Sequence, residues 1–174
     1  MYRTAQQMLT GAGYEHYEIS NYAKSNYYCR HNLTYWQNRP YYAFGMGAAS
    51  NLENYRFTRP RKTQEYYQWV ADGGDWRGDP TSVEDRFLET LMLGLRLSRG
   101  VSLNSIESEF GLVGSGALKE HRVESLLKCL ERYQHQGWVE IVAMENGDRY
   151  LRLSDPEGLL FSNVVLSEIF GSDF

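Results

Sequence analysis

The sequence predicts an α/β remnant followed by a winged-helix-like α+β domain, and three observations carry that prediction. A helix-spaced opening runs into a strand-like stretch and then a Gly-rich turn. A linker, Asp72-Gly73-Gly74-Asp75 through Gly78-Asp79-Pro80, divides the chain. Beyond it, three amphipathic helices lead to a hairpin and a closing helix. The expected division is 1–71 for the remnant, 72–80 for the linker and 81–174 for the second domain.

Ala5, Met8, Leu9 and Ala12 follow helical spacing, and Gly11 and Gly13 stop that helix. No Ser, Thr or Asp stands before Tyr2 to cap it, so the chain is expected to enter in mid-helix, as the tail of a longer α/β unit. Residues 14–19, Tyr-Glu-His-Tyr-Glu-Ile, suit a pleated surface and predict a strand. A second strand is expected over 41–44, ending in Gly45-Met46-Gly47-Ala48-Ala49-Ser50. Thr63–Ala71 predicts a short helix.

After the linker, Thr81 or Ser82 caps a helix whose first turn holds Glu84 and Asp85, where acidic groups favour the dipole. Its apolar stripe is Val83, Phe87, Leu91 and Leu95, flanked by Leu88 and Met92, and Gly100 ends it. Ser102 opens a short helix through Ile106 and Phe110 to Gly111. A third helix carries Leu118, Val123, Leu126, Leu127, Leu130 and Tyr133 and stops at Gly137. Residues 138–144 and 149–153 form two strands around Asn146-Gly147, a strong hairpin signal. Pro156 introduces a final helix ending at Phe170.

Composition narrows the function classes. A net charge of -4 argues against a nucleic-acid partner, because phosphate binding demands a basic face. In the third helix Lys119, Arg122, Lys128 and Arg132 are offset by Glu120, Glu124 and Glu131, so no basic stripe results. The two cysteines, Cys29 and Cys129, form neither a disulfide framework nor a Cys-x-x-Cys metal site, and a cytoplasmic location is expected. No secretory signal pattern and no membrane-spanning stretch is found. The most apolar segment, 159–170, is interrupted by Ser162, Asn163, Ser167 and Glu168 and reads as a core helix.

The chemistry concentrates near the N-terminus. Ten aromatic residues lie between Tyr14 and Phe44, a density suited to a surface that holds something planar. Cys29 and His31 are two apart, so an extended backbone would point both to one face, where they could bind a soft metal. Against that stands the plainer reading of Cys29 as a small buried hydrophobe and His31 as a hydrogen-bonded structural residue. Haem iron needs one or two axial ligands, and His31, Cys29, Tyr35 and Met46 are candidates in that order. Tyr35 and Trp36 would stack on a porphyrin, or serve as large packing anchors. The turn with Gly45, Gly47, Ala48 and Ser50 permits close backbone approach to a cofactor, although it lacks a dinucleotide fingerprint. Arg56, Arg59, Arg61 and Lys62 form a basic cluster that could meet propionates or phosphates, or stand as a solvated loop.

Tyr17-Glu18-Ile19-Ser20-Asn21-Tyr22-Ala23, Cys29-Arg30-His31-Asn32, Tyr35-Trp36 and Gly47-Ala48-Ala49-Ser50 resemble the HemW family, radical S-adenosylmethionine relatives of the oxygen-independent coproporphyrinogen III oxidase HemN. Leu93-Gly94-Leu95-Arg96-Leu97 with Gly100-Val101, and the stretch from Leu153 to Glu168, resemble the family's C-terminal domain. The resemblance implies that residues 1–71 are the last part of a radical SAM-type partial barrel. It further implies a cytoplasmic haem chaperone that passes haem to an acceptor protein. His31, Asn32, Tyr35 and Trp36 match the element tied to haem binding in the family, with Cys29 beside it and His31 as candidate iron ligand. The family also implies a [4Fe-4S] cluster on three cysteines with S-adenosylmethionine at its open iron. No Cys-x-x-x-Cys-x-x-Cys occurs here, so neither cofactor and no radical chemistry is expected of this chain alone. The competing readings are the substrate-covering end of an oxidase-type radical enzyme and a stand-alone winged-helix binding module.

Overall fold

The computed structural model describes residues 1–52, 55–75, 80–113 and 120–172. Helix α1 (Tyr2–Gly11) has no side-chain cap, as its sequence foretells, and Gly13 leaves it at a left-handed φ of 76°. Strand β1 (Glu15–Glu18) is shorter than expected and turns at once into β2 (Asn21–Ala23), its antiparallel partner. The carboxylate of Glu18, fully buried, holds that turn by accepting from the Ser20 amide at 3.0 Å and from the Asn21 side chain.

The strand expected over 41–44 is replaced by one bridge between Tyr41 and Asn51. The hairpin forms later, from β3 (Ala49–Leu52) and β4 (Tyr55–Thr58). Cys29 and His31 do not share an extended backbone either. Cys29 is the N-cap of α2 (Arg30–Trp36), and the helix turns the two side chains apart. Helix α3 (Thr63–Ala71) has the predicted bounds.

The second half follows the predicted order more closely. Ser82 caps α4 (Val83–Gly94) by accepting from the Asp85 amide at 3.0 Å. The pair of residues Val101–Ser102 forms β5, and Ser102 caps α5 (Leu103–Phe110) by accepting from the Ser105 amide at 2.9 Å. Short strands β6 (Leu112–Val113) and β7 (Glu120–His121) pair before α6 (Arg122–Cys129). The predicted third helix breaks at Leu130, where α7 (Glu131–His135) begins, and its Leu118 lies outside the described residues. The hairpin of β8 (Val139–Ala143) and β9 (Arg149–Leu153) gains β5 on its other edge, giving the order β5-β9-β8. The closing helix is split into α8 (Glu157–Leu160) and α9 (Ser162–Phe170) at Phe161, whose ring stacks on Trp138 at 4.4 Å.

One apolar core fills this second half, built on Phe87, Leu91, Leu95, Leu126, Leu151 and Ile169 among others. Val83, predicted on the same stripe, stands 55% exposed in the first turn of α4. The N-terminal elements contribute few residues to the core and dock onto its flank. The Ile19 amide donates to the Arg96 carbonyl at 2.8 Å, and the Ser98 amide to the Tyr17 carbonyl at 3.2 Å.

A buried polar cluster closes the same seam. His16 Nδ1 lies 3.0 Å from Asp155 Oδ1, while its ring stacks on Tyr22 at 4.1 Å and meets the edge of Tyr2. The hydroxyls of Tyr2 and Tyr22 are buried without a hydrogen-bond partner. Burial pushes the Tyr2 phenol well above its usual range, helped by Tyr22, Asp155 and Glu18. Burial and then Asp155 raise that of Tyr22. Both shifts favour the neutral phenol, so their contribution is whole below the ordinary phenol value of 10.0 and is lost as pH climbs from there through the raised folded values. Tyr2→Phe and Tyr22→Phe each remove an unsatisfied buried hydroxyl and are expected to stabilise the fold by about 1 kcal/mol. Urea titrations at pH 7 and pH 10.5 should show that gain and a flatter alkaline limb; a loss of stability at pH 7 would contradict it.

Candidate functional site: helix α2 and the cleft beside it

Helix α2 is built from poor helix formers and is held by its ends. The Cys29 carbonyl accepts the Leu33 amide at 3.0 Å, and Thr34 Oγ1 bonds back to the Arg30 carbonyl at 2.9 Å. At the far end Asn38 adopts a φ of 48° and Pro40 forbids continuation.

At about 100° per residue, positions 31, 35, 32 and 36 span about 140° of the helix, one contiguous side. His31 and Tyr35 lie at one margin, exposed, with ring centroids 4.9 Å apart and planes at 86°. Tyr41 extends that ladder edge-on to Tyr35 at 4.6 Å. Asn32 and Trp36 form the other margin, both partly buried. The Arg96 guanidinium sits 5.9 Å over the Trp36 ring.

A polar relay fixes the C-terminal end of α2 to the rest of the molecule. Asn51 Nδ2 donates to Asn38 Oδ1 at 3.0 Å, and Asn38 Nδ2 donates to Glu89 Oε2 at 3.2 Å. Glu89, on α4, also pairs with Arg56 of β4. Of these partners the sequence singles out Arg56 alone, as part of a basic cluster. The left-handed asparagine two residues before Pro40 was the available signal, because Asn tolerates that conformation better than most residues.

Trp36 also lines a cleft of about 420 Å³ between α2 and the α4–α5 side, with Arg86, Glu89, Arg99, Glu109 and Tyr150 around it. Gly45, Gly47, Ala48 and Ser50 of the glycine turn do not line this cleft. Gly45 and Gly47 take φ of 95° and 70°, and Tyr42, Phe44 and Met46 in and before the turn are exposed. Ser50 is buried, and its oxygen accepts from the Ala43 amide and from Arg59 Nη1, each at 3.1 Å. Ala48 is occupied in the loop backbone, accepting the Arg59 amide at 3.0 Å.

The basic cluster disperses on folding. Arg56 pairs with Glu89 and Lys62 with Glu65, while Arg59 is buried with its guanidinium 4.9 Å from the Tyr42 ring centre. Cys29 is exposed at the start of α2, and Cys129 ends α6 with its sulfur 3.2 Å from Ser172 Oγ. Among the described residues no group of three His, Cys, Asp or Glu side chains is placed to hold a metal ion.

The model of the HemN C-terminal domain matches residues 81–160. A heme chaperone HemW from Synechocystis is 37% identical over 98% of this chain and 43% of its own length. A heme chaperone HemW from Bacillus subtilis is 34% identical over 64% of this chain and 30% of its own. A solved structure of the Escherichia coli coproporphyrinogen III oxidase HemN, titled a radical SAM enzyme, superposes with a TM-score of 0.62 at 16% identity, covering 95% of this chain and 39% of that one. The chain therefore spans less than half the length of the curated relatives it matches. Over nearly its whole length the sequence is similar to part of the HemW proteins, residues 81–160 match the HemN C-terminal domain, and the fold is similar to part of HemN.

Proposed function

We propose that α2 is a haem-binding helix and that the protein serves as a haem chaperone, holding haem for transfer to an acceptor protein. The observation that carries this reading is the single contiguous side formed by His31, Asn32, Tyr35 and Trp36, with the His31 imidazole in solvent. An imidazole nitrogen is a standard axial ligand for haem iron, and flat rings beside it suit a macrocycle. Cys29, exposed where the helix starts, is the second candidate ligand. The relatives named heme chaperone HemW support the cargo.

Exposure supports the transfer as well. A cargo iron on a surface imidazole can be captured by an acceptor's ligand without unfolding the donor. A buried site would keep it. The turn of Gly45, Gly47, Ala48 and Ser50 belongs to this reading as a flank that a larger assembly would cover. We place the boundaries at 1–71, 72–80 and 81–174, and the order α4-β5-α5-β6-β7-α6-α7-β8-β9 with its three-stranded sheet β5-β9-β8 supports a winged-helix-like second domain. Arg122 and Arg132 pair with Glu84 and Glu168, which supports a packing role for that domain and not a nucleic-acid face. No helix of the described residues is long and apolar enough to cross a membrane. The two thiols, both free, suit a reducing cytoplasm.

A [4Fe-4S] cluster on three cysteines does not fit these residues. The chain has two, one at the start of α2 and one on α6. S-adenosylmethionine on an open cluster iron has no place in this reading for the same reason.

Titration of the 174-residue chain with ferric haem, followed at the Soret band, tests the reading. Saturation near one haem per chain is expected, with His31→Ala weakening it at least about tenfold. Unsaturable binding, or equal affinity in the variant, would remove α2 as the site.

A further inference from the structure

The cleft beside Trp36 holds one guanidinium that no carboxylate of the described residues pairs. Among its charged lining residues, Arg86 pairs with Glu109, and Glu89 with Arg56. Arg99 has no carboxylate partner among the described residues. Its guanidinium rests 4.6 Å from the Tyr150 ring centre and donates to the Tyr150 hydroxyl at 2.9 Å. That contact orients the planar fork without neutralising it.

A second uncompensated guanidinium stands close by. Arg96 lies over the Trp36 ring, its Nε is buried without a partner, and its Nη2 reaches Asn163 Oδ1 at 3.4 Å. A partly buried cation with unsatisfied donors raises the local potential more than a solvated one would. Both arginines sit in the connection that follows α4, three positions apart.

The cleft opens where the proposed ligand side of α2 ends, because Trp36 belongs to both. A flat ligand lying along His31, Tyr35, Asn32 and Trp36 would therefore bring one edge to this cleft. We propose that the cleft receives the carboxylate edge of a tetrapyrrole lying on α2, with Arg99 as its direct counter-ion and Arg96 supplying positive potential beneath Trp36. The inference rests on the haem-binding reading of α2 and names the chemistry that its ligand must carry, a carboxylate-bearing edge. Guanidinium and carboxylate match as planar forks, and the cleft shields the pair partly from solvent. Arg59 would not supply this contact, since it is buried among rings and does not line the cleft.

The test compares ferric haem with its dimethyl ester, in which both carboxylates are blocked, on the parent chain, Arg99→Gln and Arg99→Lys. Arg99 is exposed, so neither substitution is expected to disturb folding, and a melting curve checks this. The parent should bind haem roughly tenfold more tightly than the ester. Arg99→Gln should lose that preference by weakening haem alone, Arg99→Lys should retain part of it, and added salt should weaken haem more than ester. Equal affinity of parent for haem and ester, or a preference intact in Arg99→Gln, overturns the proposal while leaving α2 as the haem site. No saturable Soret change with either ligand overturns the reading of α2, and this one with it.

Discussion

Replacing Gly100 by alanine is expected to lower stability by roughly 3 kcal/mol and the melting temperature by roughly 6–12 °C. Gly100 sits at a left-handed φ of 74°, and a Cβ there would stand 2.0 Å from the Leu151 carbonyl oxygen and 2.7 Å from the Arg152 Cα. Backbone on the central strand β9 cannot swing aside as a flexible side chain would. The left-handed conformation costs about 1–2 kcal/mol for any residue with a Cβ, and the clash adds a similar amount. The same residue lines the cleft beside Trp36, so the damage should extend to the proposed carboxylate site. Gly147→Ala is the control. Its φ is 82°, but nothing lies within 4 Å of an added Cβ, so only the conformational part remains. Thermal unfolding followed by circular dichroism should separate the two variants; equal losses would show that the close approach to β9 is not what constrains Gly100.

Leu91→Ala is expected to destabilise the fold by about 2–5 kcal/mol, the range for emptying a buried leucine site. Leu91 is fully buried on α4 between Phe87 and Leu95, in the single core that residues of the second half build. The opposite side of the same helix presents Arg86, Glu89 and Thr90 to the cleft. A cavity under α4 therefore weakens the scaffold that holds α2 through Asn38 and Glu89. Val83→Ala, at the first residue of α4 and 55% exposed, should change stability by less than about 0.5 kcal/mol. Urea unfolding should show the midpoint of Leu91→Ala falling at unchanged slope, with that of Val83→Ala near the parent. Similar midpoints for the two variants would mean that the core is not organised on Phe87, Leu91 and Leu95.

The contrast between the halves explains how much the sequence revealed. In the second half, local signals and tertiary packing agree. Ser82 and Ser102 cap the helices they precede, Asn146-Gly147 marks the hairpin, and buried Leu and Phe recur at helical spacing. The misses there include Val83, which is exposed, the end of α4 at Gly94 and not Gly100, and the breaks at Leu130 and Phe161, where no Gly or Pro announces a change of direction. The ring stack of Phe161 on Trp138 is a contact between distant segments, which no local pattern encodes.

In the first half, local propensity misleads. His31, Asn32, Thr34, Tyr35 and Trp36 are poor helix formers, yet backbone caps and the relay through Asn38 and Glu89 make α2 helical. Reading that stretch as extended placed Cys29 with His31. The helix instead groups His31 with Tyr35 and Asn32 with Trp36. The family resemblance named the right residues without their geometry. The arginines at 96 and 99 were invisible as site residues, because only the fold brings the end of α4 against Trp36.

The central claim is that His31 presents its imidazole to haem iron from α2. Electron paramagnetic resonance of the ferric-haem adduct reads that bond directly. The account predicts a nitrogen-ligated signal in the parent, its loss in His31→Ala, and its return when free imidazole is added to the variant. A signal that survives His31→Ala unchanged, or one with the character of thiolate ligation that vanishes in Cys29→Ala, would contradict it.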